Sequence, residues 1–123
     1  MTEEFVTLET AKLLKEKGFN EPCMIAMNIE DGRQYGTNRT NSELPIKVCS
    51  HPTQSIAQKW LRETKNIHIC VYNCACGYGY EISKADNGTH IASSVYEGPN
   101  DGGKWDVYED ALEAGLQEAL KLI

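Results

Sequence analysis

Apolar residues recur at helical spacing in three stretches of the chain and at two-residue spacing between them. The strongest stripe is Tyr108, Leu112, Leu116, Ala119, Leu120 and Ile123, which predicts an amphipathic helix from Asp106 to Ile123. Asp106 is placed to cap it, Glu109 to complete a capping box, and Lys121 to complement the dipole at its far end. Leu8, Ala11 and Leu14, with neighbouring Leu13, predict a helix from Leu8 to Lys17, capped by Thr7 and ended by Gly18. Ile56, Ala57, Trp60 and Leu61 predict the buried side of another, opening at Pro52-Thr53 and ending near Lys65-Asn66.

Strand patterns occupy the intervals. Met24 to Ile29 and Gln34 to Thr37 flank an Asp31-Gly32 hairpin turn. A polar loop from Asn38 to Glu43 follows, then Leu44 to Cys49, pushed toward a sheet edge by Pro45. Ile67, Ile69 and Val71 alternate with His68, Cys70 and Tyr72, while Tyr78, Tyr80 and Ile82 share one side of the next strand. Asn87-Gly88 then turns into a strand with Ile91 and Val95 on one face and His90, Ala92, Ser94 and Tyr96 on the other. A loop from Gly98 to Gly103 leads to the last helix. Strands joined by tight turns pair antiparallel, and an alternating sheet needs cover on one face only. The expectation is an α+β fold: an antiparallel sheet of five to six strands with three helices packed on one face, as a single domain over 1–123.

Charge acts by exclusion. The net charge of −6 lies entirely in residues 67–123, which hold three Lys/Arg and nine Asp/Glu; residues 1–66 hold nine of each. An acidic half repels phosphate backbones and anionic lipid, so neither nucleic acid nor a membrane is an expected partner. The order helix, three strands, helix from Pro52 onward matches a double-stranded-RNA-binding domain. Its second helix, however, opens with Asp106, Glu109 and Asp110, where phosphate contact needs basic residues. The acidic start Met1-Thr2-Glu3-Glu4 and the lack of a long apolar run point to the cytoplasm. Five cysteines in no recognisable framework read as reduced thiols.

Candidate chemistry is thin. His68, Cys70, Cys74 and Cys76, with His51, raise the question of zinc, but the cysteine spacing is irregular, no second ligand pair follows, and a strand spreads alternate residues along a line. No metal and no cofactor are expected. A cysteine nucleophile needs a base and an orienting third group, and only Glu81 could serve as one, so no catalytic residue is assigned. Gly77-Tyr78-Gly79-Tyr80 lacks the strand, glycine loop and helix of a phosphate site, and its tyrosines are expected to pack over the inner sheet face. One constellation remains. With Ile67, Ile69 and Val71 turned to the helices, His68, Cys70, Tyr72, Glu81, Ser94 and Tyr96 share the opposite face, either as ordinary solvated surface or as a contact surface. Arg33 and Arg39, near aromatic residues in loops, could grip a phosphorylated small ligand.

Four segments carry a resemblance: Val6 to Phe19, Pro52-Thr53-Gln54 leading to Trp60-Leu61-Arg62-Glu63, Asn66-Ile67-His68-Ile69, and Tyr108 to Leu116. Together, over about half the chain, they resemble small uncharacterised proteins encoded by phages and mobile elements of gut bacteria. The resemblance implies a protein acting in the cytoplasm of a bacterial host and transfers no catalytic residue. Cys74 to Lys104 departs most from it. The leading expectation is a non-enzymatic accessory protein that binds a host protein or self-associates as a homo-oligomer. The alternative is a sponge that sequesters a nucleotide immune signal in an anti-defence role.

Overall fold

A computed structural model describes residues 3–96 and 102–123, apart from the Tyr96 side chain. It separates into two compact units, Met1–Ala57 and Gln58–Ile123.

In the first unit, α1 (Leu8–Glu16) starts where Thr7 Oγ1 accepts the Thr10 N–H at 3.3 Å. Gly18 ends it at φ +95°, a conformation that costs glycine nothing, and the Phe19 N–H reaches back to Leu14 O at 2.9 Å. Phe19 is fully buried there with Ala11 and Leu14. β1 (Ile25–Asn28) lies between β2 (Gln34–Gly36) and β3 (Val48–Ser50), both antiparallel to it. Residues 44–47 are not strand: Val48 N–H closes a turn on Pro45 O at 3.0 Å. The polar loop contains a short 3-10 turn (Asn41–Glu43), in which Glu43 Oε1 takes both the N–H and the hydroxyl of Thr40. Buried Asn41 stitches the unit together, donating to Phe19 O and accepting from Ser50 N, each at 2.8 Å.

The division between units falls within α2 (Gln54–Thr64). Ala57, Trp60 and Leu61 are buried as expected, but Ile56 is 41% exposed.

The second unit is a meander, β4 (Ile67–Cys74), β5 (Gly77–Lys84) and β6 (His90–Ser93), followed by a 3-10 turn (Ser94–Tyr96) and α3 (Tyr108–Lys121). α3 packs on β4 and β5. Ile67, Ile69, Tyr80 and Ile82 meet it from the sheet, and Leu112, Leu116, Ala119 and Leu120 from the helix. Each such leucine contributes about 1.5–3 kcal/mol by leaving water. Gly115 permits the close approach, since a Cβ there would come 2.9 Å from Ile69 Cγ2 and 3.2 Å from the Tyr80 ring.

The α+β class and antiparallel pairing hold, with three helices and six strands among the described residues. The strands, however, form two three-stranded sheets and not one sheet of five to six. Turn chemistry read from sequence sets which neighbours pair, while sheet continuity depends on long-range pairing that local signals do not carry. The Asp106 cap is also corrected. Trp105 is held extended by a bridge to Tyr78, so α3 begins two residues after Asp106, with Val107 as N-cap and no side-chain cap. The loop expected from Gly98 to Gly103 falls largely outside the described residues. Among the described residues, no helix is long and apolar enough to cross a membrane.

Candidate functional site

Register on the second sheet settles which residues share its outer face. His68 stands opposite Ser83, and Ser83 opposite His90; Cys70 stands opposite Glu81, and Glu81 opposite Ser93. Partners directly across an antiparallel ladder project to the same side. Ile67 and Ile69 are buried on the other side, Cys70 and Glu81 are exposed, and His68 is half-buried. The sheet therefore shows His68, Cys70 and Glu81 together, as the alternation predicts. The ladder shifts register between Ile82 and Ser83. Ala92 consequently pairs with Ile82 on the helix side, and Ile91 and Val95 are each 38% exposed.

Ser94 is not on that surface. It is fully buried, accepting the Tyr80 N–H at 3.0 Å and donating to Gly102 O at 3.1 Å. The Tyr72 hydroxyl lies 3.2 Å from Ser94 Oγ. The register shift exchanges the faces of the β6 residues that follow it: Ala92 stands opposite inward-facing Ile82 and Ser93 opposite Glu81, so the next residue, Ser94, falls on the side of Tyr80 as the chain enters the 3-10 turn. Tyr72 is half-buried, its ring lying across Gly79, so it is pinned and not presented. The Tyr96 side chain lies outside the described residues. The two inner tyrosines behave as their spacing suggests: Tyr80 is buried with its ring 5.7 Å from that of Trp105, and Tyr78 meets Tyr108 edge-on at 5.9 Å.

Among the described residues no group of three or more His, Cys, Asp or Glu side chains is placed to hold a metal ion. Burial pushes the Cys23 and Cys49 thiols up. Cys70 and Cys76 are exposed, while half-buried Cys74 donates to Gly77 O at 3.2 Å. His51, raised above as a possible ligand, is instead a buried pin: its Nε2–H donates to Val6 O at 2.7 Å, Nδ1 faces the Gln34 amide at 3.4 Å, and Phe5 stacks on its ring at 5.0 Å.

Compared with family models, curated proteins and solved structures, the chain shows no match. Two surface features of the first unit complete the geometry. A cleft of about 450 Å³ is lined by Tyr35, Gly36, Thr37, Asn38, Arg39 and Leu44 among others. Exposed Arg39 is thus brought beside an aromatic ring, while Arg33, also exposed, sits in the β1–β2 turn and does not line that cleft. A second cleft of about 340 Å³, lined by Phe5, Met24, Ile25, His51 and Ile56 among others, is largely apolar, and Met24 is 84% exposed beside it. Sequence patterning missed this patch because Met24 reads as a strand residue and Ile56 as helix core.

Proposed function

We propose that the protein is a non-enzymatic accessory protein of phage type that works in the cytoplasm of a bacterial host by contact, with a host protein or with itself. The contact surface is the outer face of the second sheet, centred on His68, Cys70 and Glu81. The observation that carries this reading is the sheet's asymmetry: α3 covers the face bearing Ile69, Tyr80 and Ile82, whereas Cys70 and Glu81 stand opposite one another in the open. An imidazole, a thiol and a carboxylate on rigid strands can present specific polar contacts with little ordering cost. The test is capture from host lysate with a His68→Ala/Glu81→Arg variant in parallel. A host protein retained by the wild type and lost by the variant supports the surface; equal retention, or turnover of a nucleotide, peptide or ester substrate, refutes the reading.

A second reading is favoured by the cleft in the first unit, where Tyr35 and Arg39 line one space. Guanidinium and ring together suit a small phosphorylated nucleotide, as a sponge for an immune signal requires. Thermal-shift screening with cyclic nucleotides separates the two, since a ligand that binds only the folded state raises Tm. The Arg39→Ala variant should then lose the shift.

A further inference from the structure

The β4–β5 ladder leaves β4 with one open edge, and its phase fixes which backbone groups lie there. On β5, Tyr78 exchanges hydrogen bonds with Trp105 and Tyr80 sends its N–H to Ser94, so both turn away from β4. Ala85 N–H meets Asn66 O at 3.0 Å. His68, Cys70, Tyr72 and Cys74 therefore bond to β5, and Ile67, Ile69, Val71 and Asn73 direct their N–H and C=O groups outward. The first half of this edge is guarded: Ile67 and Ile69 are buried, and Gln58 Nε2 donates to Ile69 O at 2.8 Å. The second half is open. Asn73 is exposed and Val71 half-buried, and among the described residues their outward groups meet only the Cys70 thiol, 3.9 Å from Val71 O.

Edge strands this long normally carry Lys, Pro or a bulge that blocks pairing. Ile67–Cys74 has no proline and no Lys, Arg, Asp or Glu, and its register runs unbroken over all its paired residues. We propose that Cys70–Cys74 pairs antiparallel with the same stretch of a second copy of this chain, across a two-fold axis at Tyr72. Val71 and Asn73 of one copy would exchange hydrogen bonds with Asn73 and Val71 of the other, four in all by the antiparallel pattern. A second copy fits because the outward donors and acceptors are self-complementary in this register and the stretch carries no charge to repel itself. An axis at Tyr72 also leaves the Gln58 bond to Ile69 undisturbed, whereas one at Val71 would bring the incoming strand onto it.

The pairing rests on the contact reading above, and the two fail separately. A strictly monomeric protein removes the pairing and leaves a host-protein contact standing, while substrate turnover removes the contact reading. The experiment is sedimentation of the full chain over a wide concentration range, with amide hydrogen exchange measured alongside. The expected result is a concentration-dependent doubling of mass, with the Val71 and Asn73 amides slowing over the same range. Asn73→Pro removes an outward N–H and no hydrogen bond of the β4–β5 ladder, and should weaken association by about tenfold or more without lowering the melting temperature of the dilute protein. Should that variant misfold, Asn73→Lys supplies the missing edge guard and should act in the same direction. A monomer at every concentration, or a dimer whose Val71 and Asn73 amides still exchange freely, overturns the proposal.

Discussion

Gly79→Ala is the sharpest test of how the turn end of the second sheet is held. A Cβ at Gly79 would lie 2.5 Å from Cζ and Oη of Tyr72 and 2.7 Å from Gly102 O. Ordinary carbon contacts are about 3.5–4 Å, so ring and backbone would each have to retreat by roughly 1 Å. Neither can do so cheaply. The Tyr72 hydroxyl is engaged with Ser94, and Gly102 sits at φ +77° pressed against the Ser94 carbonyl. Overpacking of this kind costs about 1–3 kcal/mol, and loss of the hydroxyl contact about 1 kcal/mol more. Against these, alanine in a strand gains about 0.5–1 kcal/mol over glycine. The clash wins, and the variant should be destabilised by about 1–3 kcal/mol. Urea unfolding followed by tryptophan fluorescence reads this directly, because Trp60 and Trp105 both lie in Gln58–Ile123. Adding Tyr72→Ala removes the ring and leaves the Gly102 clash, so the double variant should recover about 1 kcal/mol relative to additivity. A Gly79→Ala protein as stable as the wild type, or two substitutions that simply add, would refute the pinned-ring account.

Two further outcomes follow from burial and hydrogen bonding. Cys70 and Cys76 should react quickly with a thiol reagent in the native protein, while Cys23 and Cys49, buried and with raised thiol pKa, should react only on unfolding; mass spectrometry of timed samples resolves them. Glu43 is held below the usual carboxylate range, chiefly by the Thr40 backbone N–H and next by its hydroxyl. A depressed carboxyl stabilises above its unfolded pKa and loses that contribution as pH falls through the folded value. Acid should therefore loosen the 3-10 turn before the rest of the first unit, seen as early shifts of the Thr40 amide in an NMR titration, and Glu43→Gln should abolish the step.

Local signals in the sequence located most elements. Thr7 and Gly18 bracket α1 because capping and positive φ are properties of one or two residues. The alternation of Ile67, Ile69 and Val71 with His68, Cys70 and Tyr72 set the faces of β4 because side-chain period in a strand is two. The errors arise where distant chain intervenes. Asp106 fails to cap α3 because the Tyr78 bridge keeps Trp105 extended. Ser94 leaves the outer face because the ladder shift between Ile82 and Ser83 exchanges the faces of the residues after it, and Gly102 O accepts its hydroxyl there. The two sheets were not separable from one, since nothing local in β3 or β4 states which edge stays unpaired.

The two ends of the second sheet differ in how they bear on the proposed contact surface. Its turn end is closed by close backbone approach: a Cβ at Gly77 would strike Trp105 O at 2.7 Å, one at Gly79 the Tyr72 ring, and one at Gly102 the Ser94 backbone at 2.5 Å. Glycines so placed do the opposite of what a phosphate loop does, for they admit the protein's own chain where a ligand would need space. Tyr72 and Ser94 are spent in that closure. The far end lacks it, and there the His68–Ser83–His90 rank and the Cys70–Glu81 pair cross strands whose other face is sealed by α3. A surface of this kind is stiff, because moving its side chains means moving the core beneath them. If the proposed contact is made there, changing His68 or Glu81 should remove it with little change in stability. Changes at Tyr72 or Ser94 should do the reverse, lowering stability first and binding only as a consequence.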